Sequence, residues 1–208
     1  MKQTFINLIK QGSIEAYKEY GIWPSLTIAQ AILETAWGRS SIGNNIFGIK
    51  ADSKWTGKTK TVRTHEYING KKVYIDAKFR DYDSIEESIR DRSKFLSTPR
   101  YKKVLTAPNY KVAAAEIYKA GYATDPAYTK KLTDIIEQNQ LHLIDREAQE
   151  IKEGVDNAME NMQNVSSWAK EAWDWAIKNK LVDGTNPRSN ITREQMITVL
   201  HRYSKMVK

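Results

Sequence analysis

Residues 29–37, AQAILETAW, place one acid, Glu34, in an otherwise apolar helical pattern. At roughly 100° per residue, Ala29, Ile32, Leu33, Ala36 and Trp37 form one stripe. Glu34 falls at its edge, with Gln30 one turn earlier on the same flank. A carboxyl at the rim of a core, beside the Trp37 indole, is partly desolvated, and desolvation raises its pKa. A general acid working near neutral pH needs that property. A solvated or N–H-capping glutamate fits the same spacing, so the pattern by itself leaves both readings open.

A second carboxylate stands out in TVRTHEYINGKKVYIDAKF, residues 61–79, where two β-rich runs flank Asn69-Gly70. Such a dipeptide between alternating runs predicts a hairpin with a two-residue loop. In that register Ile68 pairs with Lys71 and Glu66 with Val73. Glu66 then shares a sheet face with Val62, Val73, Ile75 and Ala77. On an apolar face it either lines a cleft or meets Lys71 or Lys72 as a solvated cross-strand partner.

Helices must carry these groups. The spacing predicts helices over 2–20 and 25–38, split by Gly21-Ile22-Trp23-Pro24, and a loop over 39–60 rich in Gly, Ser and Asn. After the hairpin, helices are expected over 83–97, with an Asp/Ser cap, and over 109–120 and 126–141. The fold class is therefore α+β, mainly helical. We divide the chain into a first domain over 1–145, a polar helical or flexible linker over 146–165, and a small two-helix unit over 166–208. In that unit Thr192 and Gln195 have capping-box spacing. Two short helices bury little on their own, so the unit must lean on the first domain, on a copy of itself, or on a ligand.

Composition narrows the chemistry. The chain has 208 residues, 40% apolar and 28% charged, with no cysteine. Disulfides and thiolate metal sites are thus excluded. His65, His142 and His201 are scattered without ligand spacing, so no metal is expected, and no cofactor either. There is no phosphate-cradling glycine loop and no Ser-His-Asp or Cys-His arrangement. No apolar run reaches membrane-spanning length, so no membrane insertion is expected. The net charge is +8, and residues 1–145 hold 23 Lys and Arg against 16 Asp and Glu. That surplus points to a polyanionic partner, nucleic acid or a cell-wall polymer, and charge does not choose between them.

Four segments in order choose. AQAILETAWGRS, NNIFGIK, THEYINGKKVYIDAKFRDYDSIEES and AGYATDPAYTKKL resemble the signatures of the glycoside hydrolase family 73 endo-β-N-acetylglucosaminidases, over roughly residues 10–143. The resemblance implies a lysozyme-like helical lobe with a small β lobe, peptidoglycan as the partner, and no nucleic acid. It implies that Glu34 is the general acid, that Glu66 activates water or steadies an oxocarbenium-like transition state, and that Tyr122 is a near-catalytic hydroxyl. Gln30, Asn45, Phe47, Tyr101, Asp125 and Tyr128 are the candidate substrate-binding residues. Phe47 would offer a platform in the Asn45–Gly48 turn, and Asp125-Pro126 also reads as a helix start. An N-acetylmuramidase or lytic transglycosylase on the same fold, and a non-catalytic wall-binding protein, are the alternatives.

WAKEAWDWAIKNKLVDGT and NITREQMITVLHRY, within residues 166–203, resemble a single S-layer homology module. That likeness implies an anionic secondary wall polymer as ligand, with Arg193 contacting it and Trp168 or Trp173 stacking. The tryptophans also have the spacing of a helix-packing stripe. Self-association through this module would restore multivalency. The first twenty residues lack a secretory apolar core. A phage endolysin-like protein, held in the host cytoplasm until released to the cell wall, is the expectation.

Overall fold

Pro24 starts the helix that carries Glu34. At the first helical position a proline gives up an N–H that would have no partner there. From it runs α2 (Pro24–Thr35), with ten of its twelve residues buried. It is the central helix of its unit, packed against α1 (Lys2–Tyr20), α5 (Tyr110–Lys119) and α6 (Tyr128–Gln138). On one side α1 buries Phe5, Ile6, Ile9 and Ile14. On another α6 buries Tyr128, Leu132 and Ile136 at four-residue spacing, the ridge that packs helix on helix.

The computed structural model describes residues 2–68, 71–163, 165–184 and 187–206, and within them all side chains but those of 65–68, 71–72, 155 and 157–163. They fall into two units, Met1–Gln149 and Glu150–Lys208.

Helix α2 stops three residues short of the expected 38. Ala36, Trp37 and Gly38 all take left-handed backbone, at φ 48°, 68° and 79°. Thr35 Oγ1 accepts the Gly38 N–H at 2.8 Å and donates to the Ala31 carbonyl at 2.6 Å. Two side-chain-bearing residues in that region cost roughly 1–3 kcal/mol each. The strain begins two residues after Glu34.

Strands β1 (Thr59–Ile68) and β2 (Lys71–Arg80) form the one sheet among the described residues, antiparallel, with Ile68 opposite Lys71 and Glu66 opposite Val73. This is the register that a two-residue connection demands; Asn69 and Gly70 themselves lie outside the described residues. Along β2, Ala77 and Phe79 are buried while Tyr74 is exposed, so one face meets the helical lobe and the other meets water. Residues 49–51 run beside the base of β2, with Arg80 N–H donating to Ile49 and Ala51 N–H to Lys78.

Ser84 caps α3 (Ile85–Leu96), accepting the Glu87 N–H at 3.2 Å. A 3-10 turn (Pro99–Tyr101), α4 (Lys102–Leu105) and α5 (Tyr110–Lys119) follow, then α6 and the long α7 (His142–Gln163). Helix α7 runs without a break through the 145/146 boundary read from composition.

The second unit holds a 3-10 turn (Ser167–Ala169), α8 (Lys170–Lys178) and α9 (Arg193–Met206). Thr192 and Gln195 close the capping box reciprocally, at 2.8 and 3.2 Å. Trp175 meets Tyr203 edge-on at 6.2 Å and Arg202 reaches the Lys180 and Leu181 carbonyls. Ile191, Met196, Ile197 and Leu200 stay exposed, as expected of a helix pair with little to bury. Among the described residues no helix is long and apolar enough to cross a membrane.

Candidate active site

Glu34, in the last turn of α2, opens onto a groove of about 440 Å³. Phe47 and Gly48 line it from the turn before the sheet, Arg80 from β2, Phe95 from α3, Tyr101 from the 3-10 turn and Tyr122 from the loop after α5. The Glu34 side chain is exposed on the groove side. Protein crowds the rest of it, and that desolvation holds its carboxyl above the ordinary range. The Tyr128 hydroxyl pulls weakly the other way, as a hydrogen-bonding neighbour that favours the carboxylate. Desolvation is the larger effect, so the group is suited to keeping a proton.

The apolar neighbour is not the one the sequence suggested. Trp37 is absent from this groove; it lines a separate one with Phe5 and Leu8, beneath Lys2 Nζ at 4.9 Å. The left-handed turn at 36–38 swings the indole off the helical stripe. Aromatic residues from other elements line the groove instead. Tyr122 lies 6.1 Å from Tyr128, 6.3 Å from Tyr101 and 6.4 Å from Phe95, ring centre to ring centre. Burial pushes the Tyr122 hydroxyl up to about 12 and Tyr128 higher still, so both stay protonated, as hydrogen-bond donors.

Of the expected substrate-binding residues, Phe47 and Tyr101 line the groove, both nearly buried. Gln30, Asn45 and Asp125 are engaged elsewhere. Gln30 is fully buried and donates from Nε2 to Tyr128 Oη at 2.8 Å, so it reaches Glu34 through a tyrosine and not the groove. Asn45 is buried under the turn: its Nδ2 donates to the Ile49 and Arg80 carbonyls and its Oδ1 accepts the Ile49 N–H. It ties the Phe47 turn to the sheet. Asp125 accepts the Ala127 N–H at 2.9 Å and pairs with Lys131 at 2.6 Å, in the turn that leads into α6; it is not the helix cap, which falls at Ala127 without a side-chain bond. Glu66 sits near the far end of β1, opposite Val73; its side chain lies outside the described residues.

Arg92, Arg80 and Arg100 escaped the sequence reading. Arg92 lies wholly inside, 4.9 Å from the Phe47 ring, and donates to Thr27 Oγ1 and Gln30 Oε1. Its signal was positional: Ile85, Ile89, Arg92 and Leu96 fall on one face of α3. Arg80 pairs with Asp91 at 2.8 Å, and Arg100 donates to the Ala120 and Gly121 carbonyls while lining the groove. In the second unit Trp168 is 87% exposed, Arg193 is exposed at the start of α9, and Trp173 lines a shallow hollow with Asp183, Asn190 and Arg202.

This geometry has counterparts. Residues 10–141 match the glucosaminidase family, described as mannosyl-glycoprotein endo-beta-N-acetylglucosaminidase. Over 183 residues the chain is 37% identical to the exo-glucosaminidase LytG of Bacillus subtilis, covering 83% of this chain and 64% of that protein. Over 131 residues it is 40% identical to the peptidoglycan hydrolase FlgJ of Salmonella typhimurium, covering 59% of this chain and 42% of that one. The chain thus spans less than two thirds of these relatives. The catalytic domain of the autolysin Auto from Listeria monocytogenes superposes with a TM-score of 0.63 at 37% identity, over 69% of this chain and 86% of that one. The likeness covers the lobe that carries Glu34 and the groove, and the chain belongs to the glucosaminidase family, glycoside hydrolase family 73.

Proposed function

We propose that this chain hydrolyses peptidoglycan at the β-1,4 bond after N-acetylglucosamine. The observation that carries the reading is the Glu34 carboxyl, desolvated yet open to the groove. Glu34 gives its proton to the departing glycosidic oxygen as the C1–O bond breaks, and a water then delivers hydroxide to C1 and its proton to a base. Phe47 and Tyr101, nearly buried, form part of the wall that the glycan passes. Tyr122 supplies a hydroxyl that stays protonated in the working pH range. Glu66, on the β lobe, activates or orients the water. The chain's likeness to the exo-glucosaminidase LytG and the peptidoglycan hydrolase FlgJ supports the substrate class.

Digestion of purified sacculi followed by reducing-end analysis tests this. N-acetylglucosamine at the new reducing ends is expected; N-acetylmuramic acid there identifies a muramidase, and anhydro ends a transglycosylase. Release of single sugars instead of long fragments would align it with the exo activity named for LytG. Loss of lysis in Glu34→Gln would exclude a pure binder.

For the second unit we propose an S-layer-homology-like wall-binding role, with the exposed Trp168 stacking and Arg193 contacting an anionic wall glycan. Co-sedimentation of the full chain with walls stripped of secondary polymer, against intact walls, tests it; equal binding to both would sink the idea. Sedimentation velocity would detect self-association through this unit.

A further inference from the structure

Arg92 is a buried cation whose pairing is unusual. None of its side chain is exposed, Nε has no hydrogen-bond partner, and among the described residues no carboxylate stabilises it; its electrostatic neighbours are the tyrosines 122 and 128. Burying a guanidinium without a counter-ion costs several kcal/mol, and an uncharged chain would pack as well. The Phe47 ring offsets part of that cost. The rest calls for a role outside packing.

Its hydrogen bonds have a direction. A guanidinium only donates, so the Gln30 atom facing Arg92 Nη2 is the amide oxygen. The Gln30 NH₂ is then turned to Tyr128, and donates to Oη at 2.8 Å. A phenol oxygen that accepts still has its own proton to give, and Glu34, one helical turn beyond Gln30 on the same flank of α2, is the neighbouring carboxyl. We propose that Arg92 is a positioning residue: acting through Gln30 and Tyr128, it commits the Tyr128 proton to one oxygen of Glu34, so that the acid's own proton sits on the other oxygen, towards the groove. The same donor steadies the carboxylate that forms as the proton leaves, which is where a transition-state contact lowers the barrier.

This inference rests on Glu34 as the acid, and the test separates the two. Gln30→Glu keeps the shape of the side chain but reverses the relay: the new carboxylate pairs with Arg92 and takes the Tyr128 proton away from Glu34. The other charged or titratable groups around Glu34 are Lys50, Asp52, Arg80, Arg100, Tyr101 and Tyr122; none is altered. On soluble glycan fragments, kcat should fall about ten- to a hundredfold, with KM unchanged. The alkaline limb of the kcat profile should move up by about one pH unit. The melting temperature should hold or rise, because Arg92 gains a counter-charge. Tyr128→Phe should shift the limb in the same direction from the other end of the relay. Arg92→Met should copy it, and Arg92→Lys, which still donates, should return the limb towards wild type. A wild-type limb and kcat in both Gln30→Glu and Tyr128→Phe, with Glu34→Gln inactive, would overturn the relay and leave the acid in place. A fully active Glu34→Gln would remove both.

Discussion

The carboxylate of Asp145 reaches the first turn of α2 from 120 residues away, taking the Ser25 backbone N–H at 2.8 Å and the Ser25 hydroxyl at 2.6 Å. Trp23, at the N-cap position, provides no side-chain cap. The start of the Glu34 helix is thus held by the first turn of α7.

That clamp should be visible in stability against pH. Burial pushes the Asp145 carboxyl up to about 6, above its value in an unfolded chain, and outweighs the two Ser25 hydrogen bonds. The folded state therefore binds the proton more tightly than the unfolded state. Its contribution is fully present below about pH 4 and is lost as pH rises through about 6, a change of roughly 3 kcal/mol. Asp145→Asn cannot titrate. The wild-type melting temperature should fall relative to Asp145→Asn between pH 4 and 7, and a constant difference would refute the assignment.

Glu34 titrates in the same sense but is read in activity. A general acid works while protonated, so the rate is present below its pKa and lost as pH rises through it. Because burial raises that pKa, the alkaline limb of kcat/KM should lie above the ~4.3 of an unperturbed glutamate. Glu34→Gln should lower kcat about a hundredfold or more at every pH while leaving the melting temperature unchanged or higher. A limb at the unperturbed value would mean that another group donates the proton.

Elements whose signals are local were legible in the sequence. Asn69-Gly70 between alternating runs set the hairpin register, and Thr192 with Gln195 marked the start of α9. The end of α2 was not, because the apolar period continues through Trp37 while the backbone has already turned left-handed. Polarity misled at the site as well. Gln30 and Asn45 have side chains suited to sugars, yet both are buried amides satisfying protein groups, a long-range outcome that no spacing encodes. Arg92 was missed for the converse reason: a charge reads as surface unless its place on a helix face is weighed first.

Asn45 offers a direct check on how the Phe47 turn is held. Its amide makes three hydrogen bonds, at 2.8, 3.0 and 3.0 Å, to Arg80 and Ile49. Asn45→Ala leaves buried backbone groups unpaired and should cost about 2–3 kcal/mol. Phe47 would lose its fixed place in the groove, so KM should rise. A variant that melts as wild type and binds glycan as tightly would show that the turn stands without it.

Two glycines in the left-handed region separate stability from substrate access. Gly21, at φ +76°, would bring an added Cβ to 2.9 Å from the Leu105 carbonyl oxygen, a backbone atom that cannot step aside. Gly48, at φ +60°, would meet nothing within 4 Å, because its missing side chain points into open space. Both substitutions to alanine carry the left-handed penalty of roughly 1 kcal/mol, and Gly21→Ala adds the clash. We expect Gly21→Ala to cost about 2 kcal/mol or more in unfolding free energy with KM unchanged. Gly48→Ala should cost about 1 kcal/mol, but it puts a methyl on the wall of the Glu34 groove and should raise KM. Equal denaturation midpoints for the two variants would contradict the packing at Gly21. An unchanged KM in Gly48→Ala would place the glycan away from this wall, because a chain lying against Phe47 and Tyr101 passes the same stretch of groove.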